Sequence, residues 1–256
     1  MPGELTTIEF WDDYWEGVKL PTSVDPGFAF DRYFSAALAG VFANESGTVF
    51  EIGCAPGKWL AFLVETCGLV PAGIEYSPEG MAATRKNLRL HGVENAEIIE
   101  GDFFAREPQA RFDAVASYGF IEHFDDPVAV LDRHLAWLKP GGLLVIGVPN
   151  FHGIHGALQK MLDRSVIDKH NLSVMDPAFL TSWAGARGLA VERVGYLGGF
   201  EPGLPIVDTS RMNPAIFLAR ALMWVGFRVR RSPALDNLNG PRISSYLLLA
   251  ARKPEA

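Results

Sequence analysis

The chain has 256 residues, 48% of them hydrophobic, a formal net charge of −7 and a mean hydropathy of +0.11. This length predicts one domain with a sizeable core, and the composition excludes an intrinsically disordered chain. The acidic balance disfavours nucleic acid as the main partner, because phosphate neutralisation requires basic surface. The sequence shows neither an apolar run of about 18 residues, as a transmembrane helix needs, nor the basic start of a signal peptide.

The two cysteines, Cys54 and Cys67, are too few for a disulfide framework. They flank one predicted helix, so we expect reduced thiols and a cytoplasmic location.

The first 46 residues precede the core of the domain. Trp11, Tyr14 and Trp15 lie among acidic residues and are followed by a loop and an amphipathic helix over residues 28–42. Two interpretations are open: a lid over a ligand, or helices packed on a sheet edge. We therefore separate an N-terminal helical or lid segment, 1–46, from a main domain, 47–256.

Residues 48–68 predict a strand, a tight glycine turn and a helix. Gly53 and Gly57 allow a ligand to approach the backbone, and a helix start attracts polar atoms. The spacing of these glycines does not fit a phosphate-binding P-loop, which also needs a hydroxyl residue where Trp59 stands. A dinucleotide fingerprint fits poorly, because Ala55 occupies its middle glycine position.

The second predicted strand, residues 70–76, ends in Glu75, about 20 residues after the glycine turn. A carboxylate at this position of a parallel sheet can accept both hydroxyls of a ribose. Ser77 and Pro78 then predict a helix start, as cap and first residue. The acid does not by itself distinguish between nucleotide-containing cofactors.

The third and fourth predicted strands, 97–102 and 111–120, lead toward the same cleft. Ligands of open α/β sheets bind beyond the carboxyl ends of the strands, and Asp102 stands at such an end. A helix opens at Asp126 and Pro127, and residues 138–142 predict a turn into a strand over 143–148.

Together these features resemble the class I S-adenosylmethionine (SAM) methyltransferases, over about residues 48–150. The features that carry the resemblance are Glu51-x-Gly53, Glu75, Gly101-Asp102, Glu122-His123 and Leu138-Lys-Pro-Gly-Gly142. The last two are most similar to the ubiquinone-pathway type of small-molecule O-methyltransferase. The resemblance implies an α/β, Rossmann-like fold with a seven-stranded sheet, helices on both faces and a final antiparallel strand.

The resemblance also implies the cofactor, SAM, with S-adenosylhomocysteine as product. Asp102 then corresponds to the acid that accepts from the adenine amino group. The cofactor contacts expected on this basis are Glu51, Gly53, Ala55, Gly57, Glu75, Tyr76, Asp102, Phe103, Ser117 and Tyr118.

The implied reaction is in-line transfer of the sulfonium methyl to an oxygen or nitrogen of a small molecule. His123, after strand four, is the candidate general base. A structural role for His123, or catalysis by positioning alone, stays open. We expect no metal, because Gly119 stands where some members of the subgroup carry a further Glu, and Glu122 and His123 alone leave most ligand positions to water.

Acceptor contacts are expected from loops beyond the strand ends. Tyr14 and Trp15 belong to the lid segment, His152 and His155 follow strand five, and His170 precedes a helix over 177–187. A zinc pair at His152 and His155 lacks a third ligand nearby in sequence. Strands six and seven are predicted at 189–197 and 243–252.

The connection between those strands, residues 198–242, is longer than a hairpin needs. Its centre, 214–231, predicts an imperfectly amphipathic helix in which arginines share a side with Trp224 and Phe227. A lid or dimerisation helix and an interfacial helix that meets a membrane or a lipid-like substrate both remain open. The expected partner is thus a small, apolar or lipid-like acceptor, and the expected state is a monomer or homodimer.

Two other functions remain as alternatives. One is a SAM-binding module without catalysis, and the other is an NAD(P)-dependent oxidoreductase. Methylation of nucleic acid is disfavoured, because residues 119–122 do not carry the Asn/Asp-Pro-Pro-Tyr type of motif.

Overall fold

The computed structural model describes residues 3–202, 214–229, 232–233 and 236–255. Its strands are β1 (Thr48–Ile52), β2 (Val70–Glu75), β3 (Glu97–Glu100), β4 (Phe112–Tyr118), β5 (Leu138–Pro149), β6 (Ala190–Leu197) and β7 (Tyr246–Arg252). Its helices are α1 (Ile8–Trp15), α2 (Ala29–Val41), α3 (Lys58–Cys67), α4 (Pro78–Leu90), α5 (Pro127–Trp137), α6 (Ile154–Leu162), α7 (Arg164–Asp168), α8 (Pro177–Ala186) and α9 (Pro214–Val229). Parts of the predicted 198–242 insertion, including Arg230 and Arg231, lie outside the described residues.

The described strands form one sheet in the order β3-β2-β1-β4-β5-β7-β6. Neighbours among β1 to β5 are parallel, whereas β7 runs antiparallel to both β5 and β6. The predicted seven-stranded α/β fold with a final antiparallel strand is therefore confirmed. Because β1 lies between β2 and β4, the strand order reverses at β1, and ligands of open sheets bind at such a switch point.

The sheet divides the core into two layers. Phe50 and Ile52 pack with α5 and α8 on one face, whereas Val49 packs with α2, α3 and α4 on the other. This follows from the alternation of side chains along a strand. Helix α2 packs in the second of these layers, where Phe34 and Leu38 have no exposed surface.

Strand β5 begins earlier than expected. We predicted a turn over 138–142, but Leu138 already pairs with Phe112, and pairing resumes at Leu143 with Ala114. The four residues Lys139 to Gly142 stand opposite the single residue Asp113, so the register of the two strands shifts there. Gly141 has φ of 72°, the positive value that the predicted turn assigned to glycine.

Two further expectations concern thiols and membranes. Cys54 and Cys67 are both free, the first buried and the second half-buried. Within the described ranges, no helix combines the length and apolarity needed to span a membrane.

Candidate active site

The loop between β1 and α3 has the backbone that its glycines predict. Gly53 and Gly57 have φ of 68° and 82°, in the left-handed region that favours glycine. The Gly57 N–H donates to the Cys54 carbonyl at 2.7 Å, and the Gly53 N–H donates to the Ile74 carbonyl at 2.9 Å. The turn is thereby fastened to the end of β2, and α3 starts directly after it.

Acidic side chains stand at the ends of β1 and β2. Glu51 is buried, and its Oε2 has no hydrogen-bond partner among the described residues. Burial, and next the charge of Glu75, raise the pKa of Glu51. Glu75 accepts from the backbone N–H groups of Tyr76 and Ser77, each at 2.9 Å. Burial raises the pKa of Glu75, while these hydrogen bonds oppose the rise.

A third acid follows β3. Asp102 Oδ1 accepts from the Phe104 N–H at 2.7 Å, which fixes the carboxylate at the start of the next loop. The rings of Phe103 and Phe104 meet edge to face with centroids 5.1 Å apart. An acid and two aromatic rings therefore lie together beyond the third strand.

These strand ends and helix α1 enclose a cavity of about 300 Å³. The sequence-predicted residues on its wall are Tyr14, Trp15, Gly53, Ala55, Glu75, Tyr76, Asp102, Phe103, Tyr118, His123 and His170. Residues that the sequence did not single out also line it, among them Glu4, Phe10, Phe104, Phe120 and Tyr246, and so does Glu122 of the Glu-His pair, for which the sequence predicted no separate role.

Helix α1 covers the cavity and is attached at both ends. The Ser77 hydroxyl donates to Asp12 Oδ1 at 2.6 Å, and Trp15 lies so close to Gly80 that a Cβ there would stand 2.9 Å from the indole Cδ1. Before α1, Leu5 N–H donates to the His123 carbonyl at 2.8 Å. No residue of α1 is buried, so its contacts are those of a cover rather than of core.

One wall of the cavity gathers three groups that can exchange protons. Glu122 and His123 form a 3-10 turn after β4, and Asn171 N–H donates to the Glu122 carbonyl at 2.6 Å. This contact brings His170 beside His123, with ring centroids 4.6 Å apart. Glu122 Oε1 lies 3.9 Å from His123 Nε2, and Glu122 Oε2 has no partner within the described ranges.

Backbone hydrogen bonds determine which ring nitrogens face this wall. The Nδ1–H of His123 donates to the Lys169 carbonyl at 3.0 Å, and that of His170 donates to the Val166 carbonyl at 2.6 Å. Each ring therefore keeps the lone pair of its Nε2 free to accept. Burial raises the pKa of Glu122 to about 8, whereas burial, and next the neighbouring His170, lower the pKa of His123 to about 3.

The same three side chains form a candidate cation site. In the described part of the chain, one ligand atom from each of Glu122, His123 and His170 lies within 4.8 Å of the others. We expected no metal because two ligands are too few; the structure adds His170 as a third, which the sequence separates from the pair by 46 residues.

Five predicted site residues lie away from the cavity wall. Ser117 is fully buried and hydrogen-bonds to His134 Nε2 at 3.0 Å, because its side chain points to the α5 face of the sheet. Gly57 is the N-cap residue of α3, and Glu51 is buried within β1.

The two histidines after β5 are the other members of that group. His155 is a buried residue of α6, and its Nε2 accepts from the Glu201 N–H at 2.9 Å. His152 is exposed, and its Nε2–H donates to the Leu172 carbonyl at 2.9 Å. Neither lines the cavity, because the chain turns away from the crevice as α6 begins.

Glu122 and Tyr246 are the main site residues that we missed. Glu122 carried a signal, since it belongs to the Glu-His pair singled out after β4. Tyr246 carried none: it reaches the cavity only because β7 inserts beside β5, where Tyr246 pairs with Pro149.

The residues present fit a cofactor with a ribose, an adenine and a charged amino-acid end. Glu75, Asp102 and Gly53 line the cavity, and Glu51, within β1, has a buried oxygen with no partner among the described residues. With the strand order, these features define a SAM-dependent methyltransferase of class I.

A family model described as a methyltransferase domain matches residues 29–194, and the chain belongs to this family. SAM is accordingly its cofactor, which sets aside the dinucleotide alternative.

Relatives in sequence and solved structures similar to this chain are also named as methyltransferases. The ubiquinone biosynthesis O-methyltransferase of Xylella fastidiosa (strain 9a5c) is 36% identical over 109 residues, which cover 40% of this chain and 42% of that protein. The protein of the same name from Xanthomonas axonopodis pv. citri is 28% identical over 205 residues, 75% of this chain and 80% of that one. The solved Haemonchus contortus phosphoethanolamine N-methyltransferase 2, with S-adenosylhomocysteine bound, shares the fold at a TM-score of 0.60 and 17% identity, over 87% of this chain and 53% of that one.

Proposed function

We propose that the protein transfers the methyl group of SAM to an oxygen, or less readily a nitrogen, of an uncharged small molecule bound beside Glu122, His123 and His170. The observation that carries this proposal is Glu122, a fully buried carboxyl with an unpaired oxygen on the wall of the cofactor cavity. A buried polar atom without a partner is costly unless a ligand completes it.

Cofactor binding falls to residues around the strand ends. Glu75 accepts the ribose hydroxyls, Asp102 accepts from the adenine amino group, and Phe103 packs against the adenine. The backbone of Gly53 and Ala55 faces the amino-acid end, and Glu51 and Gly57 support this loop. SAM supplies an already activated methyl group, so the protein's task is to align the acceptor and exclude water, in which α1 assists with Tyr14 and Trp15.

The proton of the acceptor goes to Glu122 rather than to His123, the base expected from sequence. A general base works best when its pKa lies near the operating pH. Glu122 meets this condition with a pKa of about 8, whereas a histidine with a pKa of about 3 is a weak proton acceptor. The Nε2 atoms of His123 and His170 then accept hydrogen bonds from further hydroxyl or N–H groups of the acceptor and so orient it.

The charges on the cavity wall support an uncharged acceptor. Glu4, Glu75 and Asp102 line it, and the described lining includes no lysine or arginine. A carboxylate or phosphate acceptor would lack a cationic partner and meet like charge. The rings of Phe10, Trp11 and Tyr14 add apolar contact, which suits an aromatic hydroxyl or another apolar alcohol.

We propose that the cluster acts without a cation. Burial raises the pKa of Glu122, and a metal ligand must first lose its proton, so a cation would have to displace the proton that burial favours. Prolonged dialysis against a chelator should therefore leave methyl transfer intact. Loss of transfer that added Zn²⁺ or Mn²⁺ restores would instead assign Glu122, His123 and His170 to a metal.

The first experiment is calorimetric titration with S-adenosylhomocysteine and, separately, NADH. We expect micromolar binding of S-adenosylhomocysteine, its loss in Glu75→Ala, and no binding of NADH. Glu79→Ala is the matched control, because Glu79 is an exposed acid in the first turn of α4. Failure of the wild-type protein to bind S-adenosylhomocysteine would contradict the proposal, and binding without transfer to any acceptor would favour the non-catalytic module.

The free thiols of Cys54 and Cys67 support the proposed cytoplasmic location.

A further inference from the structure

Helix α9 turns an apolar stripe toward solvent. Phe217, Trp224 and Val225 recur at the i, i+7, i+8 spacing of one helix side, and their exposed fractions are 64%, 59% and 50%. Ala221 and Arg228 continue this stripe and are also exposed. A helix of a globular protein normally turns its apolar stripe to the core, so an outward stripe indicates a contact surface.

Packing on the other side of α9 sets this orientation. A Cβ built at Gly226 would lie 3.1 Å from Pro202 Cβ and 3.2 Å from Phe200 Cε1, so this side of the helix rests on the chain after β6. The ring of Phe227 meets the ring of Phe28, at the start of α2, edge to face at 6.4 Å. Both rings are exposed, which extends the apolar surface beyond α9.

We call this surface the α9 face and define it by Phe28, Phe217, Trp224, Val225 and Arg228. The charged residue among these five is a cation, Arg228. The Arg228 guanidinium lies 4.5 Å from the centre of the Trp224 ring. From residue 214 to 231 the sequence carries four arginines and no acidic residue, although the chain as a whole has a net charge of −7.

This combination selects one kind of partner. Tryptophan and apolar side chains flanked by arginines are typical of a helix that lies in the interface of an anionic bilayer. A second copy of the chain fits less well, because a two-fold contact would place the same arginine-rich helix against itself.

We propose that the α9 face binds the surface of a bilayer rich in anionic phospholipid. The side chains of Phe217 and Trp224 enter the boundary between headgroups and acyl chains, and the Arg228 guanidinium contacts a headgroup phosphate. The proposal does not rest on the proposed methyl transfer, because the residues of the α9 face are not among those that line the cavity.

The test is co-sedimentation of the full chain with sucrose-loaded vesicles of phosphatidylcholine alone or mixed equally with phosphatidylglycerol. We expect binding at least about tenfold tighter to the mixed vesicles, weakening as salt rises from about 0.1 M to about 0.5 M. Arg228→Gln should weaken it about fivefold, and Phe217→Ser combined with Trp224→Ser should abolish it.

The matched control is Arg89→Gln combined with Leu90→Ser, which removes an adjacent basic and apolar pair that is equally exposed on α4. It should bind vesicles like the wild type. Binding of S-adenosylhomocysteine should be the same in all these proteins, which shows that they fold. Equal binding to both vesicle types, no binding, or a dimer in light scattering that Phe217→Ser and Trp224→Ser dissociate would each overturn the proposal.

Discussion

Glu122 and His123 are adjacent in sequence, yet burial moves their pKa values in opposite directions. Burial disfavours the charged form of each group, so the carboxyl holds its proton up to a pKa of about 8 and the imidazole stays neutral down to about 3. By their ordinary pKa values the histidine would titrate near neutral pH and the carboxyl at acidic pH, and burial reverses this order. The carboxyl becomes the group poised near neutral pH.

The first prediction concerns the pH dependence of methyl transfer. With catechol as a probe acceptor, we expect kcat to rise with pH around a midpoint near 8, because only the Glu122 carboxylate accepts a proton. Glu122→Gln should lower kcat by about 10²–10⁴-fold and remove the rise. Initial rates at saturating SAM across the pH range measure both effects.

Glu79→Gln is the control for this prediction, and binding of S-adenosylhomocysteine should be the same in every variant. A rate that does not change with pH, persists in Glu122→Gln and falls in His123→Asn would contradict this prediction and would identify His123 as the general base.

At the scale of secondary structure, the first two helices have separate tasks although the sequence places both in one N-terminal segment. Helix α2 contributes Phe34 and Leu38 to the core without exposed surface, and truncating such a leucine to alanine typically costs about 2–5 kcal/mol of stability. Helix α1 buries no residue and covers the cavity. The family match, which begins at residue 29, includes α2 and excludes α1.

The second prediction follows from this division. Trp15 packs against Gly80 and lines the cavity, so Trp15→Ala should open the cover and speed release of S-adenosylhomocysteine about tenfold. The free energy of unfolding should change little, because α1 has no buried residue. Stopped-flow displacement and urea unfolding measure the two quantities.

Ile8→Ala serves as the control for Trp15→Ala, since Ile8 is an exposed apolar residue of the same helix. It should leave the release rate unchanged. An unchanged release rate in Trp15→Ala would mean that α1 does not gate the cofactor.

At the scale of the whole molecule, the buried ionisable groups make stability depend on pH. Between the ordinary pKa of Glu122, 4.5, and its folded value of about 8, the unfolded chain loses this proton while the folded chain keeps it. Each unit of pH in that window therefore lowers the free energy of unfolding by about 1.4 kcal/mol. His123 makes the free energy of unfolding depend on pH in the opposite direction. Below its ordinary pKa of 6.5 the unfolded chain binds a proton at His123 that the folded chain does not bind, so the free energy of unfolding falls as the pH falls toward about 3.

The third prediction is the stability of Glu122→Gln relative to the wild type. Because Gln does not ionise, we expect the variant to gain on the wild type by about 2 kcal/mol between about pH 6 and about pH 8, and little more above that. Urea unfolding without cofactor measures the difference. Glu79→Gln, at an exposed position, should show no such trend, and a pH-independent difference for Glu122→Gln would contradict the buried carboxyl.

The sequence by itself determined the fold and which strand-end residues meet at one crevice. Strand ends, glycine turns and helix caps are local patterns, so they suffice to assign Gly53, Glu75 and Asp102 to one crevice. In parallel strands the carboxyl ends meet at one edge, and spacing along the chain then predicts proximity in space.

Only the tertiary structure decided the remainder of the site. His170 joins Glu122 and His123 through the contact of Asn171 with the turn after β4, and Tyr246 enters because β7 lies beside β5. Ser117, His152 and His155 looked equally suitable in sequence but point elsewhere. Contacts between distant segments and the burial of each side chain result from packing of the whole core, and no local pattern encodes them.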